Sequence, residues 1–299
     1  MIRFTGLTIV AIIVVLASTW IIKRSITKMM LRLLIAATIA GLILGYGVFI
    51  EPFWIQIKQQ EIVLPDYNGD QLTIILISDT HVGKFSNTKV LKQAIEKINN
   101  IDAEYVLILG DLMDGDPAHL GEIEVLKNLK NKNVFFVYGN HDYEYNQGER
   151  LVKGLEEKLK GMGVTILDNE TVQLDDTVYL SGIPDIWSVG YDLDFLKNVA
   201  PSHTHILMSH NPDVVMRIAE DPDLYKNIDL VVSGHTHGGE IRLPFVGPLS
   251  ALPTDLPRKY DKGYFDYEGI PLYITSGLSN VGIRTKYFNR PEIIILEIR

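Results

Sequence analysis

The feature that most constrains the fold of this chain is a pattern that occurs five times. In each case a short apolar run is followed by polar residues that include Asp, Asn or His. The five apolar runs are Leu72–Ile77, Tyr105–Leu109, Val134–Tyr138, Ile206–Met208 and Leu230–Val232. Their length and their content of β-branched residues are typical of buried strands. We therefore predict five strands that each present polar side chains at the carboxyl end.

Segments with helical periodicity alternate with the first of these strands. Apolar residues recur at the spacing of one helix face in Thr88–Asn99, Glu122–Leu129 and Leu151–Leu159. Strands that alternate with helices predict an α/β fold, with largely parallel sheets and helices outside. Sheets of that kind bind ligands beyond the carboxyl ends of their strands, so the five polar clusters are expected to form one site.

The later part of the chain contains strand-like segments with few helices between them. These segments are Thr171–Leu174, Val178–Ser181, Ile241–Leu243, Leu272–Thr275 and Glu292–Ile298. We interpret them as strands that complete a second sheet packed on the first.

The polar clusters supply seven side chains of the types that bind metal through nitrogen or oxygen. They are Asp79, His81, Asp111, Asn140, His210, His235 and His237. The sequence has no cysteine, which excludes disulfides, thiolate ligands and thiolate nucleophiles. Seven such ligands are too many for one ordinary cation and suit two. Two divalent ions roughly 3.5–4 Å apart lower the pKa of a shared water and hold a phosphate from both sides, which predicts a metal-bridging hydroxide as nucleophile.

Two of these histidines, His235 and His237, are separated by one residue. In an extended segment, residues two apart point to the same side, so both imidazoles are expected to face one cavity. His203 and His205 have the same spacing but precede their strand, at the opposite end of the sheet, and we expect no metal there. His119 lies in a polar loop and is expected at the surface.

Each of these residues, taken alone, also has a simpler explanation. Asp79 or Asp111 can cap a helix that follows a strand. Asn140 can be a turn residue, and His141 can be a buried histidine whose ring nitrogens are hydrogen bonded. Their joint occurrence at five strand ends favours the metal site.

The polar clusters resemble, in order, the five motifs of the calcineurin-like metallophosphoesterases. The matching segments are Asp79-x-His81, Gly110-Asp111-x-x-Asp114, Gly139-Asn140-His141-Asp142, His210 and Gly234-His235-x-His237. The resemblance covers about residues 72–240 and is strongest to the membrane-anchored bacterial branch of the YaeI and YkuE type. Gly277-Leu278 and Asn289-Arg290-Pro291-Glu292 are also similar to that branch.

The resemblance implies a four-layer α/β/β/α sandwich with two divalent metal ions, which we expect to be Mn, Fe, Zn or Co. It implies one ion at Asp79, His81, Asp111 and His237, and a second at Asp111, Asn140, His210 and His235. The residues implied in catalysis are His141, Asp111 and Asn140.

The resemblance also implies roles for residues next to the ligands. His141 would contact the phosphate, stabilise charge in the transition state or protonate the leaving oxygen, and Asp114 and Asp142 would orient ligands. Asp185 is either a further acidic residue near the metals or a turn residue. Arg284 and Lys286 either meet a phosphate or a lipid headgroup or lie at the solvated surface, and we expect the surface.

Residues 1–50 contain no Asp or Glu and two apolar runs, Phe4–Ile22 and Leu33–Ile50. Each run is near the roughly 20 residues that a membrane-spanning helix needs. We predict a transmembrane helical hairpin over residues 1–50, a connector over residues 51–70 and the metallophosphoesterase domain over residues 71–299. Lys23, Arg24, Lys28 and Arg32 lie between the runs. Cytoplasmic loops collect basic residues, so we expect the catalytic domain on the outer side of a bacterial cell membrane.

The net charge argues against one class of partner. The five basic residues of residues 1–50 leave 23 Lys and Arg against 37 Asp and Glu in the rest of the chain, a formal net charge of −14. Nonspecific binding to nucleic acid depends on neutralising phosphates, so we expect no nucleic-acid partner.

These observations predict a membrane-anchored phosphohydrolase, a phosphodiesterase or phosphatase, acting on envelope or lipid-linked phosphate esters. One alternative is a pyrophosphatase of the UDP-2,3-diacylglucosamine type, which requires the catalytic domain at the cytoplasmic face. Another is a non-catalytic metal-binding scaffold in the membrane, although such relatives usually lose ligands that this chain keeps.

Overall fold

A computed structural model describes residues 2–65, 67, 69–84, 88–131, 133–143, 151–200, 202–282 and 284–299, without the side chains of residues 2–11, 151 and 152. The chain divides into two compact units, Met1–Gly47 and Val48–Arg299.

The first unit is part of one α-helix, α1 (Ile2–Phe49). The expected two-helix hairpin is therefore wrong, because the helix continues through the basic segment at residues 23–32 without a turn. This segment has no Gly or Pro, and its Lys, Arg, Met and Leu residues favour a helix. At about 1.5 Å per residue, α1 is about 72 Å long, more than twice the roughly 30 Å of a bilayer's hydrocarbon core. Within the described residues it is the one helix long and apolar enough to cross a membrane.

The second unit contains the remaining helices and strands of the described residues. The strands are β1 (Gln56–Ile62), β2 (Leu72–Ile77), β3 (Tyr105–Ile108), β4 (Val134–Phe136), β5 (Thr165–Ile166), β6 (Glu170–Gln173), β7 (Val178–Gly182), β8 (Thr204–Met208), β9 (Leu230–Ser233), β10 (Arg242–Leu243), β11 (Gly247–Pro248), β12 (Gly263–Tyr267), β13 (Ile270–Ile274) and β14 (Glu292–Ile298). The α-helices are α2 (Thr88–Ile98), α3 (Leu151–Gly161), α4 (Val214–Glu220) and α5 (Pro222–Asn227). The helix expected near Glu122–Leu129 is instead a 3-10 stretch, Pro117–Asn128.

The strands form two six-stranded sheets and one two-stranded sheet, β10-β11, within the described residues. The first has the order β1-β14-β2-β3-β4-β5, and the second has the order β12-β13-β9-β8-β7-β6. In the first sheet β2, β3, β4 and β5 are parallel, and in the second β13, β9, β8 and β7 are parallel. The expectation that the late strands all complete the second sheet is wrong for β14, which pairs with β2 in the first sheet. It is also wrong for the segment Ile241–Leu243, because its strand β10 pairs with β11 in a separate two-stranded sheet.

The two sheets pack face to face between two layers of helices. Along β2, Ile77 faces the core that contains α2, whereas Leu76 faces the core between the sheets. Along β9, Val232 faces the same central core, whereas Val231 faces α4 and α5. This alternation follows from the two-residue period of a strand. The resulting order of layers confirms the expected α/β/β/α sandwich.

The expected connector over residues 51–70 contains a strand of the domain. Strand β1 runs parallel to β14 at the edge of the first sheet, with Gln56 opposite Glu292 and Ile62 opposite Ile298. Its sequence is polar because its residues alternate between partly buried and exposed positions. The backbone pairing, and not an apolar run, therefore holds this segment in the sheet.

Candidate metal centre

Both sheets direct the carboxyl ends of their central strands at one site. Loops after β2, β3 and β4 carry Asp79, His81, Asp111 and Asn140, and loops after β8 and β9 carry His210, His235 and His237. All of these side chains except that of Asn140 belong to residues that are at least 95% buried. The expected convergence of the five polar clusters is therefore observed, and it occurs where the two sheets meet.

One group of four side chains surrounds a common point. Asp79, His81, Asp111 and His237 bring their potential ligand atoms within 4.8 Å of one another. The Nε2 atoms of His81 and His237 are 3.1 Å apart, and His237 Nε2 lies 3.3 Å from Asp79 Oδ1. This is the set that the resemblance implies for the first ion.

A second group shares Asp111 with the first. Asp111, His210 and His235 also have potential ligand atoms within 4.8 Å of one another. His210 Nε2 lies 3.1 Å from His235 Nδ1 and 3.2 Å from Asp111 Oδ2. The same Oδ2 lies 3.5 Å from His81 Nε2 in the first group. One carboxylate oxygen is thus placed between the two groups.

The chemistry of the two groups fits divalent cations. Two ligand atoms about 2.1 Å from one ion and 90° apart lie about 3 Å from each other, close to the spacings described above. Asp79 Oδ1 and Asn140 Oδ1 are buried without a hydrogen-bond partner among the described residues. Burying an oxygen without a hydrogen-bond partner costs free energy, and a bound cation would supply the missing partner. Both groups therefore fit metal ions.

Backbone contacts orient two of the imidazoles. His210 Nδ1 lies 2.7 Å from the Leu109 carbonyl oxygen, and His237 Nδ1 lies 3.3 Å from the Ser279 carbonyl oxygen. A ring N–H donated to a carbonyl leaves the other ring nitrogen, Nε2, directed at the site. This arrangement is typical of metal-binding histidines.

Five of the seven side chains project from residues with left-handed backbone. The φ angles are 53° for Asp79, 45° for His81, 50° for Asp111, 68° for His235 and 52° for His237. Residues of this kind cost roughly 1–3 kcal/mol each and cluster at functional sites. The expectation of an extended segment across His235 and His237 is therefore wrong, because each residue turns the chain and the two imidazoles enter different groups.

Two glycines allow the loops to approach closely. Gly110 has φ 84°, and a Cβ there would lie 2.7 Å from His210 Nδ1. A Cβ on Gly139 would overlap the Asp111 carboxylate. Any larger residue at either position would displace a proposed ligand.

Burial and neighbouring charges set the ionisation of the site. Burial raises the pKa of the Asp111 carboxyl, but the charges of His210 and His81 outweigh it and keep that pKa well below its usual value. Burial lowers the pKa of His210, but Asp111 and Asp79 raise it to about 10. Burial lowers the pKa of His237 to about 4, so its imidazole is neutral at pH 7. A cation that binds here must displace the proton shared by His210 and Asp111.

His141 lies at the edge of the cluster. Its backbone N–H donates to Asp111 Oδ1 at 2.8 Å, and its Nδ1 lies 3.5 Å from Asp114 Oδ1. Its side chain is 24% exposed, whereas that of His81 is 1% exposed. His141 can therefore reach a bound substrate.

Asp142 joins the loops that carry two of the proposed ligands. Its carboxylate accepts hydrogen bonds from the backbone N–H groups of Met113 and Gly139, both at 2.9 Å. Burial, with a contribution from Asp111, raises the pKa of this carboxyl to about 8. These contacts fix the positions of Asp111 and Asn140 relative to each other.

A loop after β7 adds two residues to the surroundings of the site. Asp185 is buried and accepts from the backbone N–H groups of Trp187 and Ser188 at 3.0 and 2.8 Å. Burial raises the pKa of its carboxyl, and His210 is the strongest opposing influence. The Trp187 ring meets the His235 ring edge to face at 4.6 Å and is 51% exposed. Trp187 was not predicted from the sequence, because a tryptophan in a loop belongs to none of the motifs.

The remaining candidates lie in other surroundings. His205 is buried, and its ring nitrogens contact Ser181 Oγ at 2.6 Å and the Asn227 carbonyl oxygen at 2.7 Å. His119 is partly exposed, and its Nδ1 lies 2.7 Å from Glu122 Oε1. The expectation that Lys286 lies at the solvated surface is wrong, because its side chain is fully buried.

A layer of polar residues supports the His237 loop from behind. Asn289 donates from Nδ2 to the His237 carbonyl oxygen at 2.6 Å. Lys262 donates to Asn289 Oδ1 at 2.5 Å, and the Asn289 backbone N–H donates to Glu51 Oε1 at 2.5 Å. Asn289 lies in a segment already noted for its similarity to the membrane-anchored branch, but the sequence indicates no role for it and does not single out Lys262 or Glu51, because these contacts depend on the packing of distant segments.

Comparison with known proteins places this geometry in context. A sequence profile of a family described as calcineurin-like phosphoesterase matches residues 72–239. The chain is 27% identical over 289 residues to a Bacillus subtilis protein described as the uncharacterized metallophosphoesterase YkuE, covering 93% of this chain and 97% of that protein.

Two further relatives are longer than the matched region. A Helicobacter pylori protein described as an uncharacterized metallophosphoesterase is 31% identical over 252 residues, which are 81% of this chain and 64% of that protein. A Bos taurus protein described as a transmembrane protein with a metallophosphoesterase domain is 28% identical over 244 residues, which are 75% of this chain and 52% of that protein.

Proposed function

The chain belongs to the calcineurin-like phosphoesterase family, whose members hydrolyse phosphoesters, and from this premise we propose that it is a phosphohydrolase with two divalent ions. Asp79, His81, Asp111 and His237 would hold the first ion, and Asp111, Asn140, His210 and His235 would hold the second. The observation that carries the proposal is the position of Asp111 Oδ2, 3.5 Å from His81 Nε2 and 3.2 Å from His210 Nε2. A single oxygen in contact with both groups supports a bridging ligand.

The protein residues divide the remaining work between them. When bound, divalent ions lower the pKa of coordinated water and neutralise charge on a phosphate. Asn140 contributes a neutral amide oxygen and so limits the negative charge that faces an anionic substrate. His141, held to Asp111 by its backbone and exposed at the edge of the cluster, donates a proton to the leaving oxygen.

We propose that the substrate is a phosphate ester of the cell envelope or one attached to a lipid. The apolar helix α1 supports this, since it concentrates the enzyme at a membrane. The exposed Trp187 ring beside His235 supports a substrate with a bulky apolar or planar group next to its phosphate.

We also propose that the catalytic domain faces out of a bacterial cytoplasm. Lys23, Arg24, Lys28 and Arg32 precede the apolar segment at residues 33–50. Basic residues flanking a membrane span stay on the cytoplasmic side, which directs the following domain outward. Alkaline phosphatase fused at the C-terminus is therefore expected to be active, and green fluorescent protein fused there is expected to be dark. The reverse pattern would contradict this orientation and favour the cytoplasmic pyrophosphatase.

The test of the proposed reaction is turnover by the full chain in detergent. The protein is stripped of metal, and Mn, Fe, Zn or Co is restored singly before assays with an aryl phosphodiester and an aryl phosphomonoester. Asp111→Asn is expected to lower turnover at least about 100-fold, because even the loss of a residue that only supports a ligand costs roughly 10–100-fold. Asp176→Asn, the same change at an exposed turn, is the matched control and is expected to leave turnover intact.

A second pair of variants tests the proton donor. His141→Ala is expected to lower turnover about 100-fold or more without loss of bound metal. His119→Ala changes a histidine of similar exposure outside the cluster and serves as its control. Full turnover by stripped protein or by Asp111→Asn would contradict the proposal. Bound metal without turnover of either substrate would favour a metal-binding membrane scaffold.

A further inference from the structure

An exposed apolar hairpin follows the loop that carries His237. Its short strands β10 and β11 pair antiparallel, and residues 244–246 connect them. We call the segment Ile241–Leu249 the apolar hairpin. Phe245 at its tip is fully exposed, and the neighbouring Val246 is 65% exposed. Apolar side chains presented in this way at the end of a hairpin indicate an interaction surface.

Backbone contacts place the base of the apolar hairpin beside the C-terminal loop. Ile241 forms a parallel bridge with Tyr287, and the Arg242 backbone N–H donates to the Tyr287 carbonyl oxygen at 2.9 Å. The next residue, Phe288, is 61% exposed. The hairpin and Phe288 therefore add to the same apolar region.

The C-terminal loop is in turn bonded to the segment that follows α1. The Asn289 backbone N–H donates to Glu51 Oε1 at 2.5 Å, and Glu51 lies two residues after the end of α1 at Phe49. Phe49 and Ile50 are themselves exposed. The segment that follows α1 therefore lies next to residues that hold the base of the apolar hairpin.

Cations stack on the aromatic rings of the segment that follows α1. The Arg290 guanidinium lies 4.0 Å from the centre of the Trp54 ring. Phe53 is contacted by both Lys89 Nζ at 4.6 Å and the Arg284 guanidinium at 4.8 Å. Aromatic rings with Lys and Arg beside them are typical of the boundary between lipid and water, where the cations meet lipid phosphates.

We propose that the apolar hairpin inserts its tip, Phe245 and Val246, into the headgroup region of the bilayer that α1 enters. A bilayer suits this surface better than a protein does. Stable protein interfaces take roughly 20–30 residues a side, whereas lipid insertion requires a few apolar side chains and neighbouring cations. The inference rests on the membrane anchoring proposed above but not on the phosphohydrolase reaction.

The position of the hairpin deepens the proposed substrate class. His237 and Ile241 are four residues apart, so a hairpin held in the headgroup region keeps one proposed metal ligand close to the lipid surface. Phosphate groups of lipids lie in that region. The substrate class that fits is a phosphate ester attached to a lipid and presented by the bilayer.

The experiment uses the absence of cysteine in the sequence. Val246→Cys in the full chain is labelled with a nitroxide and reconstituted into nanodiscs of equal parts phosphatidylcholine and phosphatidylglycerol. Glu268→Cys, an exposed residue in the turn between β12 and β13, is the matched control. The measurement is the collision rate of the nitroxide with oxygen, which enters lipid, divided by its collision rate with a nickel chelate, which stays in water.

The ratio at position 246 is expected to exceed that at position 268 severalfold in nanodiscs. Equal ratios at the two positions would overturn the proposal. Spin–spin broadening at position 246 in nanodiscs would also overturn it, because a second copy of the chain would then cover the hairpin. Since the readout needs no turnover, the result is independent of the proposed reaction.

Discussion

At the scale of single residues, the identities of the proposed ligands were predictable, but the backbone conformation at these residues was not. Asp79, Asp111 and His235 could be singled out because metal-binding residue types recur after strands. Their φ angles of 53°, 50° and 68° depend on loops that meet from both sheets. Local sequence carries no signal for that meeting, so the extended conformation expected at His235 was wrong.

The roles of the residues that support the ligands could not be predicted, for a related reason. Asn289 lies 52 positions after His237, whose carbonyl oxygen it contacts. Lys262 reaches Asn289 across 27 positions. Burial lowers the pKa of this lysine to about 8. Although Asn289 lies in a segment similar to the membrane-anchored branch, these contacts arise from tertiary packing, so the sequence predicts neither the contacts nor the supporting role.

Asn289→Ala is expected to weaken metal binding about tenfold, because it removes the hydrogen bond to the His237 carbonyl oxygen and the acceptor of Lys262. The measurement is a competition titration of Mn or Zn against a chromophoric chelator. Asn131→Ala is the matched control, since Asn131 also donates to a backbone carbonyl oxygen, at Ala103, outside the site. Equal metal affinities for the two variants would show that Asn289 does not position His237 for metal binding.

A second residue-scale prediction concerns stability and pH. Burial lowers the pKa of His205 to about 4, from an ordinary value of 6.5. Between these values the unfolded chain binds a proton that the folded chain does not, so stability is full above pH 6.5 and falls as pH drops toward 4. From pH 7 to pH 5 the loss from His205 is about 2 kcal/mol.

The check is the melting temperature of the full chain in detergent at both pH values. His205→Gln is expected to reduce the pH-dependent drop in Tm by about 5 °C relative to the unchanged chain. An identical drop in both proteins would show that His205 already binds its proton in the folded state.

At the scale of elements, apolar strands were predicted well and polar or very long elements were not. The bounds of β2 and β14 are those expected, because continuous apolar runs mark buried strands. Strand β1 was missed because an edge strand with polar residues looks like a connector. Two helices were expected where α1 is one continuous helix, because a cluster of charged residues suggests a loop, although Lys and Arg favour helices.

The apolar hairpin carries a prediction at this scale. Phe245→Ser with Val246→Ser is expected to raise KM about tenfold for a phosphate ester embedded in vesicles, because two apolar side chains no longer enter the lipid. Turnover of a water-soluble aryl phosphodiester is expected to stay unchanged. Tyr264→Ser, at an exposed position of β12, is the control. Equal losses on both substrates would mean that the hairpin shapes the metal centre instead.

At the scale of the whole molecule, the location of the site followed from topology. Carboxyl ends of parallel strands gather ligands, and five such ends were recognised. The division of these strands between two sheets was not predicted, because apolar runs of similar composition do not indicate which strands pair with each other. β2, β3 and β4 belong to one sheet, whereas β8 and β9 belong to the other. The metal centre therefore depends on how the sheets pack.

The most direct test of the central claim is the number of divalent ions bound per chain. The full protein and the variants His235→Ala, His237→Ala and Asp111→Asn are equilibrated with Mn or Zn. The bound metal in each is then measured by elemental mass spectrometry. We expect about two ions in the unchanged protein, about one in each histidine variant and fewer than one in Asp111→Asn, since Asp111 belongs to both groups. A single ion in the unchanged protein, lost equally in both histidine variants, would contradict the two-ion centre.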